Sequence, residues 1–425
     1  MTSIIIVLYL ATLAFSLGLH FLNIRHLKQY GHKVPPGFET AIDPATLIKS
    51  SDYTLAKSQV SLVQSLFNSL LTMLFIFGGL MAWYDGWLSG YNLNFIIAGL
   101  TFFLLLSLVQ TLLGIPFDLY NHFKVETRFG FNNMSFKLWC ADQTKSLLLS
   151  ILFFALLASA AFWLIQTAPA SWWLWVWALM VTFGLLMMVI SPYVIEPLFF
   201  KFAPLQVEGL EDDIRTMMAR TGLSVSKVLQ VDASKRSGHS NAYFTGFGKQ
   251  KRVVLFDTLL EQLSKEEILA VLAHELGHMK KKHILKRMLL MALIALFYCW
   301  LAHALIGWQG LPMLVGIETA SFYARLVILF FLSSILTFPL TPLFSILSRK
   351  DEYEADHFAA ELHGNPEDLA TALIQMSKEN LANLSPHPLY AQFYYSHPPV
   401  VERVQNLREL ADSEETQRDT RGALS

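Results

Sequence analysis

The feature that most constrains this chain is a set of seven separate apolar stretches, each about as long as a bilayer is thick. They run Ile4–Leu22, Leu62–Trp83, Phe95–Ile115, Leu147–Ile165, Trp172–Ile195, Met288–Trp308 and Ala320–Leu340. A helix of about 20 residues crosses the hydrocarbon core, and a segment that satisfies its own backbone is what lipid tolerates. Of 425 residues, 54% are hydrophobic and 15% charged, against roughly 25% charged in soluble domains, so a folded soluble surface could not be covered. The first stretch is read as an anchor, because no Lys or Arg precedes it as a signal peptide requires. A formal net charge of −1 argues against a nucleic-acid partner. The expectation is a mainly α, multi-pass integral membrane protein whose constant partner is the lipid bilayer.

Charge then sorts the loops. Arg25, Lys28, Lys33, Lys49 and Lys57 fall between the first two spans, and Lys124, Arg128, Lys137 and Lys145 between the third and fourth. The loops after spans two, four and six contain no Lys or Arg. Cationic loops stay cytosolic, which predicts an outside N-terminus and a cytosolic C-terminus. The polar stretches near 201–285 and 349–425 fall on that cytosolic side. The expected organisation is therefore 1–200 as five spans with loops, 201–287 as a polar segment, 288–348 as two spans, and 349–425 as a second polar segment. Together the two polar segments form one α+β domain.

Within the first polar segment, Val207–Arg220 has helical spacing, and Lys227–Asp232 and Lys251–Asp257 are strand-like. Asn241-Ala-Tyr-Phe-Thr-Gly-Phe-Gly248 between them suits an edge strand ending in a turn. Ser264 and Glu267 form a capping box ahead of an apolar run, and the helix they start carries His274-Glu275-Leu276-Gly277-His278. Helix positions i and i+4 share a face, so both imidazoles reach one cation, and Glu275 is placed to take a proton from activated water. The lysines at 280–282, with His283, Lys286 and Arg287, read as the cytosolic anchor of span six.

A catalytic zinc usually has a third protein ligand and one open position. After span seven, Glu352 and Asp356 lie i and i+4, with Ala355 and Ala359 beside them allowing close helix approach, while Glu354 points elsewhere. Spacing alone leaves Glu352 as ligand and the acidic run as a solvated helix face equally open. Gln64, Asn68 and Gln110 are too polar to face lipid; chamber lining and helix-to-helix hydrogen bonding explain them equally well. The tail Asp412–Ser425 looks frayed.

At these residues the sequence resembles the M48 zinc metallopeptidases, in particular the Ste24-type CAAX prenyl proteases, which carry H-E-x-x-H followed beyond a membrane region by E-x-x-x-D. The resemblance implies a zincin-like domain, one Zn²⁺ per chain on His274, His278 and Glu352, and spans around a water-filled chamber. It extends to Asn241, Ala242, Tyr243 and Phe244 as a substrate-binding strand, to Phe123–Asn132, and to Ser396-His397-Pro398-Pro399 with Arg403. Asp356 is implied as a proton donor, though orienting a ligand histidine is a physically plainer role. His397, otherwise a turn residue, is implied near the metal as a donor to the oxyanion, with Arg403 as structural support on a buried carboxylate. The implied activity is peptide-bond hydrolysis with Glu275 as general base, on a peptide or protein substrate cut at a prenylated C-terminal cysteine motif. The alternatives are a quality-control protease without prenyl requirement and a non-catalytic scaffold with a structural metal. Lean loops favour a bacterial inner membrane over endoplasmic reticulum.

Overall fold

The computed structural model describes residues 1–246 and 250–422. Seven helices are long and apolar enough to cross a membrane, with mean hydropathy between 1.8 and 2.5 over their best windows. The spans are formed by α1 (Thr2–Tyr30), α2 (Pro44–Phe77), α4 (Phe95–Tyr120), α5 (Phe136–Thr167), α6 (Trp172–Ile190), α9 (His283–Ile306) and α10 (Phe322–Thr337). A short α3 (Leu80–Ser89) follows α2. Span two was expected to reach Trp83, but Gly79 at φ +83 breaks the helix there and starts α3. Only glycine takes that conformation without strain.

The spans neighbour one another largely in chain order, and α1 returns to α10, so they form a ring that α10 bridges to α4 at one end. At most 22% of any span window is buried, far below a filled bundle. Buried span residues gather near one end, where Ile5, Ile76, Phe102, Phe162 and Ile328 pack with Tyr84, Leu311 and Val315 from the neutral loops. Gln64 is half-buried and Asn68 and Gln110 are exposed, and no side-chain hydrogen bond joins any of them to another helix among the described residues. Lipid would penalise these amides.

The opposite end carries the polar segments. Strands β1 (Phe202–Pro204), β2 (Ser224–Val231), β3 (Ala242–Thr245) and β4 (Gln250–Phe256) form one sheet in the order β1-β2-β4-β3. β3 pairs antiparallel with β4, Ala242 opposite Leu255 and Phe244 opposite Val253, and is an edge. Phe247 and Gly248, read as the turn after it, lie outside the described residues. Against the sheet pack α7 (Leu210–Arg220) and α8 (Lys265–Lys280), the latter opened by the Ser264–Glu267 capping box. From the second segment come α11 (Thr341–His363), α12 (Pro366–Glu379), α13 (Pro388–Tyr394) and α14 (Val400–Gly422). α14 continues well beyond Asp412, where the polar tail suggested fraying.

One apolar core unites both segments, from Ile214, Leu255 and Leu272 to Leu369, Leu373 and Leu407. Phe38, Ile42 and Leu47, from the first basic loop, are buried in the same core, which scattered apolar residues did not announce. The second basic loop docks through Asn132 against Ser237, Asp142 on Arg236 at 2.9 Å, and buried Glu126, which accepts from Tyr53 Oη at 2.8 Å. Both basic loops thus lie at the end that carries the polar domain.

α10 passes through the single turn Phe338–Leu340 directly into α11. There α11 crosses α8 almost at backbone contact: Ala355 and Ala359 are fully buried, and a Cβ on Gly277 would stand 2.9 Å from Ala355 Cα. Gly277→Ala is therefore expected to destabilise the protein. Overpacking costs about 1–3 kcal/mol, more than the roughly 1 kcal/mol gained in helix propensity. Thermal unfolding in detergent should show a lower midpoint, and Gly277→Val a lower one still; an unchanged midpoint would mean the helices have room to part.

Candidate active site

Local sequence places the first half of the site. The capping box fixes where α8 begins, and its buried face, Ile268, Leu272 and Leu276, sets the rotation that aims His274 and His278 at α11. The second half arrives on α11, held in rotation by its small residues, which aims Glu352 and Asp356 back at α8.

The Nε2 atoms of His274 and His278 stand 3.1 Å apart. Glu352 Oε2 is 3.5 Å from His274 Nε2, and Oε1 is 3.4 Å from His278 Nε2. Among the described residues these three form the one cluster able to hold a metal. Tetrahedral zinc with bonds of about 2.0–2.1 Å separates its ligands by about 3.3–3.4 Å, so the three donors have the spacing of ligands around one ion. Glu352 is 3% exposed, and its Oε2 accepts no well-directed hydrogen bond although it is buried. A buried carboxylate beside two imidazole nitrogens at this spacing fits a cation.

The surroundings arrange charge with economy. Asp356, fully buried, takes His274 Nδ1 at 2.8 Å and a two-pronged grip from Arg403, Nη2 at 2.6 Å and Nε at 2.9 Å. Burial alone would raise the Asp356 carboxyl, but Arg403 and then His274 outweigh it and hold the group below its usual range. Burial opposes the Arg403 charge too, and Asp356 more than restores it, raising its pKa. For Glu352, which lies beyond the span on α11, burial again pushes up, and His274, His278, His397 and Arg403 together pull the carboxyl far below the carboxylate range. Its ionised form is thus the one the site is built around.

The other sequence-selected residues fall nearby. Glu275 is partly exposed on α8, and its charge reaches Arg403. His397 places Nδ1 2.8 Å from Glu352 Oε2 while its ring is 65% exposed. β3 lies against α8, with Asn241 at its start, Ala242 buried, and the phenol of Tyr243 donating to Glu196 at 2.6 Å. Burial, then Glu196, raises the Tyr243 phenol. Phe244 and His278 share a cavity of about 670 Å³ with Leu185, Met188, Leu285 and Met288, between spans five and six.

Sequence reasoning missed one residue at the site. His283, grouped with the lysines as an anchor, is buried with Nδ1 3.0 Å from His278 Nδ1. A histidine five residues after the motif, inside a basic run, was the signal available. Glu354, read as solvated, is 38% exposed and reaches His283 Nε2 at 3.3 Å.

Seven spans with a metal-ligand cluster and a sheet edge at one end are the parts of a multi-pass membrane metallopeptidase. The comparisons with known proteins are of the same kind. Residues 23–201 match a family model described as CAAX prenyl protease N-terminal, five membrane helices, and residues 204–411 match peptidase family M48. The chain is 33% identical over 403 residues to CAAX prenyl protease 1 of Saccharomyces cerevisiae, covering 88% of each chain. It is 32% identical over 430 residues to the Homo sapiens homolog, 89% of each. An uncharacterized metalloprotease of Bacillus subtilis, YhfN, is 28% identical over 386 residues, covering 89% of this chain and 90% of that one. A crystal structure of S. mikatae Ste24p superposes with a TM-score of 0.88 at 30% identity, covering 96% of this chain and 98% of that one. The chain belongs to peptidase family M48, in the membrane-embedded branch of the Ste24 proteases.

Replacing Arg403 with Leu leaves Asp356 buried with only the His274 imidazole beside it. Breaking a buried pair from one side costs about 3–5 kcal/mol, so the unfolding midpoint in detergent should fall sharply. Arg403→Lys should fall part of the way, since an ammonium cannot make the two-pronged contact. Wild-type stability in Arg403→Leu would remove the bracing role.

Proposed function

We propose that His274, His278 and Glu352 hold one zinc ion per chain and that Glu275 is the general base for peptide hydrolysis beside it. The observation that carries this reading is the convergence of two imidazole nitrogens and a buried carboxylate at ligand spacing. When bound, zinc supplies Lewis acidity to the scissile carbonyl and to the attacking water. The chain's residues do the rest. Glu275 accepts the proton of the attacking water and returns it to the departing amine. Asp356, held by Arg403, fixes the tautomer and orientation of His274. His397 directs Nδ1 at Glu352, so donation to an oxyanion through its other nitrogen requires the imidazolium form. The substrate lies extended along Asn241, Ala242, Tyr243 and Phe244, adding a strand to the free edge of β3.

Two finer points follow. The apolar cavity that Phe244 and His278 share supports a substrate carrying a prenyl group at a C-terminal cysteine, the class named for the yeast and human relatives. A strand edge reads main chain rather than side chains, which favours the second reading, cleavage of unprenylated membrane-associated peptides. The loop charges support a domain end in the cytosol and an outside N-terminus; the lean loops favour a bacterial inner membrane. On this reading 1–200 and 288–348 form the membrane part, with 201–287 and 349–425 joined as the catalytic domain.

The test uses one peptide in prenylated and unprenylated forms. Wild type should cleave the prenylated form faster, and equal turnover would select the second reading. Glu275→Gln should retain zinc and cut neither form above about one per cent of wild type, since general-base assistance is worth about 10²–10⁴-fold. Substantial cleavage by zinc-loaded Glu275→Gln would remove the mechanism.

Orientation has its own check, in a protein from which Cys140 and Cys299 have been replaced. In intact cells an impermeant thiol reagent should label Ser89→Cys, on an exposed neutral loop, and not Lys235→Cys, exposed on the catalytic domain. Labelling at position 235 would invert the topology.

A further inference from the structure

The two histidines of α8 are supported differently. His274 turns Nδ1 to a carboxylate, Asp356 Oδ1 at 2.8 Å. His278 turns Nδ1 to another imidazole nitrogen, Nδ1 of His283 at 3.0 Å. His283 is 2% exposed and is the first residue of span six, entered through Lys282 in the left-handed conformation at φ +59. Its remaining nitrogen, Nε2, lies 3.3 Å from Glu354 Oε2 and 3.7 Å from Asp351 Oδ1. Arg287, one turn along the same span, grips Asp351 through Nε at 3.0 Å and Nη2 at 2.9 Å, and Nη2 also donates to Ser348.

Proton placement along this chain follows from which nitrogen faces the cluster. His278 presents Nε2 to His274 and Glu352. With that lone pair given to a cation, the proton of His278 must sit on Nδ1 and needs an acceptor. His283 Nδ1 is the atom in reach, so its own proton sits on Nε2, directed at Glu354 and Asp351. Each proton then has one place, and the chain of imidazoles ends on carboxylates of α11, the helix that also carries Glu352.

We propose that His283 is a positioning residue of the metal site, fixing the tautomer and ring orientation of His278 and tying that ligand to the first turn of span six. The proposal rests on the reading that His274, His278 and Glu352 hold the metal. A purely space-filling histidine would predict something different, because a ring of similar size would replace it without loss.

Zinc affinity of the purified full-length protein in detergent, measured by competition with a chromogenic chelator, separates these cases without recourse to activity. His283→Phe keeps a ring and loses the acceptor; zinc affinity should fall about 10–100-fold, the usual loss when such an outer partner is removed. His283→Asn loses the ring but can place its amide oxygen near the Nδ1 position, and should recover most of that affinity. Wild-type affinity in His283→Phe, or a weaker site in Asn than in Phe, would overturn the proposal. Should His283→Phe fail to fold, Glu354→Lys decides from the partly exposed end of the chain. A cation facing Nε2 favours the His283 tautomer whose proton opposes that of His278, so zinc should dissociate several-fold faster; an unchanged rate would overturn the proposal. Glu352→Ala serves as the reference for the underlying reading. If it retains zinc at wild-type affinity, the ligand assignment itself fails; if it loses zinc while the His283 and Glu354 variants do not, only the positioning role fails.

Discussion

Everything at the site depends on α8 and α11 meeting with almost no side chain between them. Gly277 faces Ala355 at a separation that a single methyl would violate. At that distance short carboxylate and imidazole side chains can bridge the helices, and the charged groups they bring lie deep in the protein. Buried charge is costly unless paired. The site meets that condition by pairing Asp356 with Arg403 and His274, and by setting Glu352 against two imidazoles and the Arg403 guanidinium. The ion pair is thus the condition under which a metal cluster can exist at this depth, and close helix packing is the condition for the ion pair.

Legibility in the sequence followed the range of the interaction. His274, Glu275 and His278 were readable because four residues of helix bring them together, and the capping box at Ser264 marked where that helix begins. The spans were readable because hydrocarbon thickness sets a length, although the break at Gly79 was not, since an apolar run continues through it. Glu352 lies a whole span away from its partners. Spacing could not separate it from a solvated acidic face, and only resemblance to a family did so. His283 was misassigned because its neighbours are lysines and a basic run at a span end has an ordinary explanation. The burial of Phe38, Ile42 and Leu47 in the catalytic core depends on how a loop crosses the domain, for which three spaced apolar residues give no period.

The ring of spans and the polar domain solve complementary problems. A helix that crosses lipid cannot leave amides such as Asn68 and Gln110 unsolvated, and a protease cannot work without water. A ring that is packed at one end and little buried along its length is compatible with both needs. Edge strand β3 lies against α8 beside it, and on the proposed reading a substrate would meet that edge as an extended segment.

The continuity of α10 into α11, and the two-residue step from α8 to α9, make the protein indivisible in a particular sense. Neither metal-bearing helix is joined to the membrane by a linker. Cutting the chain at the membrane boundary would remove the helical turns that hold Glu352 on one side and His283 on the other. A catalytic fragment cut free of the membrane would have to be given new ends for both helices, ahead of Glu352 on one and just beyond His278 on the other.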